Sequence, residues 1–156
     1  MILGIDPGLD GAIAGIERGR LVVMIDVPSF KARKGREVDW VALSRACWEL
    51  GKVDRVFLEN PNSRPLEGVS SARKLGLVIG GIQGIAASIG WPLWLVSPAK
   101  WKRGMGSDKK AMLALARQHW PDRAGDFFAR VKDHNRAEAA LLAEWGEAQM
   151  ARGEAA

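Results

Sequence analysis

Cysteine is nearly absent. Cys47 stands alone among 156 residues, which excludes an internal disulfide and any zinc site built from several thiolates, and suits a reducing cytosol. Long apolar runs are missing as well. The most apolar stretch, 75–89, is short and interrupted by glycine, whereas a bilayer-spanning helix needs about 20 apolar residues. No basic leader precedes the first apolar residues, so no signal peptide is expected and the expected location is cytoplasmic. Repeats, linkers and low-complexity segments are also lacking, and only a mildly polar tail follows Gly146. What remains is 47% hydrophobic and 26% charged, the balance of a soluble globular chain. Its length allows one domain with a real core, here 1–150, followed by a short tail at 151–156. A net charge of +5 leans toward a polyanionic partner.

The hydrophobic pattern predicts an α/β chain. Residues 1–6 read as a buried strand, and 11–17 and 20–26 as two more, joined by "ERGR" into a meander. "KARKGRE" (31–37) reads as a basic loop, and 38–50 as a helix ended by Gly51. A strand over 53–59 follows, then a long helix to about Ile89 capped by Ser70 or Ser71, a strand over 92–97, and helices over 107–119 and 135–150. That order makes a mixed five-stranded sheet flanked by helices, because the later strands need helical crossovers.

Acids recur at the ends of these elements. Asp6 closes the first strand, Glu59 closes the fourth, and Asp133 and Glu138 flank the start of the last helix. Taken singly, Glu59 could be a strand-end surface residue and Asp133 a helix cap. Taken together, they would raise one another's pKa unless a cation compensates them. Hard oxygen donors without cysteine select Mg²⁺, or Mn²⁺, over zinc.

Five blocks carry a resemblance: "GIDPGLDGAIA", "VFLENPNSRP", "GVSSARKLGLVIGGIQGI", "LVSPAKWKRGMG" and "DHNRAEAALLAEWG". In this order they resemble the RuvC-type Holliday-junction resolvases, most of all the short versions carried by bacteriophages, over residues 1 to about 146. The resemblance implies a ribonuclease H-like fold and a homodimer. It implies four acidic positions binding two Mg²⁺ ions, and symmetric nicking of four-way DNA junctions. By position, Asp6 matches the first acid, Glu59 the second and Glu138 the last.

The third acid departs from the family's pattern, which places it three or four residues before the last. Asn135 and His134 stand there, with Asp133 five before. At ~100° per residue His134 shares a helical face with Glu138, while Asp133 points roughly 140° away unless the helix starts after it. Oxygen is the better donor for a hard ion and favours Asp133; His134 remains open as ligand or proton carrier. The mechanism implied is hydrolysis by two metals ~4 Å apart, bridged by Asp6.

Basic residues surround these acids in the sequence. Ser70, Ser71, Arg73 and Lys74 at a helix N-terminus make a phosphate seat, and Arg64, Lys100, Lys102, Lys109 and "KARKGR" add charge for DNA. Of the seven tryptophans, Trp40, Trp48, Trp94 and Trp145 fit core patterns, whereas Trp101, between Lys100 and Lys102, is placed to touch DNA. Gly76, Gly80 and Gly84 recur every fourth residue, which fits either tight packing on the sheet or a dimer contact. Three functions compete: a junction endonuclease, a broader branched-DNA or RNA–DNA hybrid nuclease on the same fold, and a junction-binding protein with impaired catalysis.

Overall fold

The computed structural model describes residues 1–61, 69–105 and 108–154. Five strands form one mixed sheet: β1 (Ile2–Asp6), β2 (Ala12–Glu17), β3 (Arg20–Asp26), β6 (Arg55–Glu59) and β7 (Leu93–Val96), in the order β3-β2-β1-β6-β7. β1 lies at the centre, antiparallel to β2 and parallel to β6. Helices α1 (Trp40–Glu49), α2 (Val69–Ile89), α3 (Pro98–Trp101), α4 (Lys109–His119), α5 (Ala124–Phe127) and α6 (His134–Ala151) complete the chain. Among the described residues no helix is long and apolar enough to cross a membrane.

Strand alternation divides the core into two layers. Leu3, Ile5, Ile13, Val56 and Leu58 pack under α1 and α2, together with Leu43, Val78 and Ile82. Ile2, Ala14, Ile16 and Phe57 face the other way, onto α4 and α6. On that second face α6 lies directly against β1. A Cβ at Gly4 would come within 2.2 Å of the Ala139 carbonyl oxygen, and one at Gly146 within 2.2 Å of the Phe57 ring. Missing side chains at these two crossings let the helix settle on the strands. Ala137 to Ala143 are all buried, so α6 is a core helix rather than an amphipathic one.

Three expectations need correction. Residues 31–37 are no loop: β4 (Ser29–Ala32) and β5 (Gly35–Val38) pair as a separate two-stranded sheet. Its turn is closed by Gly35 at φ +91°, a conformation glycine adopts freely. "KARKGRE" has no apolar alternation to mark the two strands. Ser70 and Ser71 do not cap α2; the helix already includes Val69, so both lie in its first turn. Finally, a Cβ at Gly76, Gly80 or Gly84 would meet nothing within 4 Å, so these glycines do not serve packing on the sheet. Gly81, between them, is the one pressed close, beneath the Trp40 ring.

Candidate active site

The parallel register pairs Ile5 with Leu58, which carries Asp6 and Glu59 side by side at the C-terminal edge of the sheet. Both alternate onto the α6 face. The Gly4 crossing places Ala139 over β1, and Glu138, one residue earlier, reaches the same edge. Three segments distant in sequence thus bring Asp6, Glu59 and Glu138 into one electrostatic neighbourhood. Burial, and then the charges of Glu59 and Glu138, hold the Asp6 carboxyl well above its usual range, while Lys102 and Lys109 pull it back.

Lys102 already occupies part of that neighbourhood. Its Nζ bonds Glu138 Oε2 and lies 3.2 Å from Glu59 Oε1. Burial alone would lower the Lys102 pKa, but the hydrogen bond to Glu138 and the two carboxylate charges raise it. Trp101 donates Nε1–H to Glu59 Oε1 at 3.0 Å. It is 1% exposed, so the expectation that it touches DNA is replaced: it orients a carboxylate from within the core. Among the described residues no three acids, histidines or cysteines converge closely enough to hold a metal; an ammonium sits among the carboxylates instead. The donor set nevertheless fits a hard cation, being all carboxylate and already gathered around a positive charge.

Asp133 and His134 part company. Asp133 is buried in the 3₁₀ turn (Val131–Asp133) ahead of α6 and is held by Arg130. The Arg130 backbone N–H donates to its Oδ2 at 2.7 Å, and the guanidinium to its Oδ1 at 2.8 Å. Burial would raise the Asp133 pKa, but these Arg130 bonds outweigh it and lower it. His134, one turn before Glu138, has Nε2 3.2 Å from Lys109 Nζ, and Lys109 is one of the cations acting on Asp6.

The expected DNA-contact residues fall into three places. Ser70, Arg73 and Lys74 are exposed and line a hollow of about 380 Å³ shared with Lys34 and Arg36; Ser71 is exposed in the same helical turn. Lys102 belongs to the acid cluster, and Lys109 lies beside it against His134. Lys100 lies apart, over the Trp145 ring at 5.8 Å. Arg64 lies outside the described residues. Trp48 is 69% exposed rather than core, and Trp40 also reaches the surface. Sequence reasoning missed Trp101 and Arg130 as partners of acids and Lys102 as a member of the cluster. The one signal in the sequence was the pair of lysines flanking a tryptophan just past a strand end.

No protein-family model matches the chain, and no curated protein matches it. Solved structures do. A Thermus thermophilus RuvC in complex with Holliday junction substrate is 18% identical, with TM-score 0.72 over 98% of this chain and 96% of that one. Thermus thermophilus RuvC alone gives 17% and 0.67 over the same shares. The yeast mitochondrial Holliday junction resolvase Ydc2 gives 14% and 0.56, over 98% of this chain and 81% of that one. The chain therefore has the ribonuclease H-like fold, and the resemblance read from its sequence blocks holds at the level of that fold.

Proposed function

We propose that this chain is a divalent-metal-dependent endonuclease that resolves four-way DNA junctions by paired symmetric nicks. The observation that carries this reading is the gathering of Asp6, Glu59 and Glu138 around a lysine ammonium at the sheet edge. It stands on a fold shared over nearly its full length with a resolvase bound to junction DNA.

Asp6, Glu59 and Glu138 would hold Mg²⁺, with Mn²⁺ able to replace it. The metal supplies an activated water nucleophile and charge stabilisation on the phosphoryl oxygens. Asp6, made proton-avid by burial and two like charges, is the carboxylate most relieved by a cation. Lys102, displaced from Glu59 and Glu138, would turn its ammonium to the scissile phosphate. Trp101 would keep Glu59 in place. The remaining position falls to His134 rather than Asp133, because Arg130 already claims both Asp133 oxygens. Ser70, Ser71, Arg73 and Lys74 would take phosphates of a junction arm.

Paired nicks need two sites, so the active form is a homodimer. The exposed face of α2, with Arg73, Gly76, Leu77, Gly80 and Gly84 in sequence along it, offers a smooth surface to a second copy. Incubating the protein with labelled four-way junction, duplex and RNA–DNA hybrid in Mg²⁺ tests the reading. Symmetric nicks in the junction with the other two spared support it. Preferential cleavage of the hybrid, or binding without cleavage, overturns it.

A further inference from the structure

The β4–β5 hairpin stands outside the main sheet, and four of its ten residues, 29–38, are cationic against one acid. Lys31, Arg33 and Lys34 are exposed at its tip. Charged surface hairpins are common, but this one has a second property: it is fastened to the loop that follows Asp6. The Arg36 guanidinium donates to Asp10 Oδ1 at 2.7 Å, to the Leu9 carbonyl at 3.0 Å and to Ser29 Oγ at 2.7 Å. From the opposite side Asn135 Nδ2 donates to the Asp10 carbonyl at 2.6 Å, so the loop is clamped between the hairpin and the start of α6.

Arg36 also stands between two hollows. One, of about 380 Å³, carries Lys34, Arg73 and Lys74 against a single acid, Glu37. The other, of about 520 Å³, carries Lys109, Lys132 and His134. Its acids are paired off: Asp10 with Arg36, Asp26 with Arg136 and Asp133 with Arg130. Both hollows are lined by Leu9 and Arg36 and together form a positively charged track across the loop after Asp6. Such a track fits a sugar-phosphate backbone, whose charges repeat along its length.

We propose that the β4–β5 hairpin is a DNA-backbone contact in which Lys31, Arg33 and Lys34 hold the strand and Arg36 positions the Asp6 loop against it. This rests on the nuclease reading above and goes further, in naming an element that couples DNA engagement to the catalytic edge. Arg36 acts through the loop and is a positioning residue. Arg36→Lys keeps a positive charge but cannot make three directed bonds from one planar group.

The test uses the full chain and a fluorescent four-way junction, with binding measured over a salt series without metal and single-turnover cleavage measured in Mg²⁺. The triple variant Lys31→Ala/Arg33→Ala/Lys34→Ala should bind at least tenfold more weakly. Its salt dependence should flatten by up to ~0.9 in slope for each phosphate it no longer neutralises on duplex arms. Arg36→Lys should keep the wild-type salt slope but cleave several-fold more slowly at saturating junction. An unchanged slope and affinity in the triple variant, or wild-type cleavage by Arg36→Lys, overturns the proposal while leaving the nuclease reading intact. A wild-type protein that binds no branched DNA overturns both.

Discussion

The two faces of the central sheet differ in one respect that decides what the molecule can do. Under α1 and α2 the strands present only aliphatic side chains, and that layer is apolar core. Under α6 the same strands present aliphatic, small and aromatic residues and then, at the last positions of β1 and β6, the acids Asp6 and Glu59. Leu58 and Glu59 are neighbours in sequence and belong to opposite faces: one is fully buried among Ile and Val, the other receives bonds from Trp101 and Lys102. A shift of one residue in register would exchange them. Which side chains meet at the acid cluster is therefore set by strand register as much as by residue type. A similar contrast appears at the start of α6, where Asp133 and Glu138 are five residues apart, one closed off by arginine and the other open to the acid cluster.

The largest expected effect separates the two faces. Glu59→Gln should lower junction cleavage by about a thousandfold or more, equivalent to ~4 kcal/mol of barrier, with little change in melting temperature. Leu58→Ala should cost about 2–5 kcal/mol of stability while the folded fraction still cleaves. Chemical denaturation and cleavage measured on both variants check this, and the comparison breaks if both lose only stability.

A smaller effect separates Asp133 from His134. His134→Ala should reduce Mg²⁺-dependent cleavage by tenfold or more. Asp133→Asn should chiefly destabilise the fold, by about 1–3 kcal/mol, because it weakens charge-assisted bonds from Arg130. The Asp133 pKa is lowered on folding, so its contribution is present above the ordinary aspartate value and fades as the pH falls through the folded one. The stability gap between wild type and Asp133→Asn should therefore narrow in acid. Loss of cleavage in Asp133→Asn with unchanged melting would return the ligand role to the aspartate.

The smallest effect has the opposite sign. Asp6 has a raised pKa in the folded chain, so the unfolded state gives up its proton first and stability falls as the pH rises above 3.8. Metal-free Asp6→Asn should melt higher than metal-free wild type at neutral pH, and the gap should close toward low pH. Melting curves across pH show it; a variant that melts lower at neutral pH would mean the carboxylate is compensated some other way.

Much of this was legible in the sequence. The strand-end acids Asp6 and Glu59 were readable because apolar strands are easy to delimit and their final residues stand out. That His134 and Glu138 lie one turn apart in the last helix followed from helical spacing alone. The remainder depended on packing that spacing does not encode. Arg130 captures Asp133 through a turn whose geometry has no strong residue signature. Lys102 reaches Glu59 and Glu138 only because α3 folds the chain back after β7. The β4–β5 hairpin was hidden because an isolated two-stranded ribbon buries little, here Val38 alone, and so imposes no apolar alternation. The small-residue series in α2 was visible, but which of its glycines meet a neighbour is a property of packing, and it is Gly81 that lies under Trp40.

The most direct test of the acid cluster as a metal-dependent nuclease site is Asp6→Asn, with junction cleavage in Mg²⁺ and junction binding measured on the same preparation. Cleavage should fall by at least a thousandfold while binding is kept or tightened, since on the proposed reading the change removes both a metal donor and a negative charge facing phosphate. Cleavage within tenfold of wild type would contradict the account.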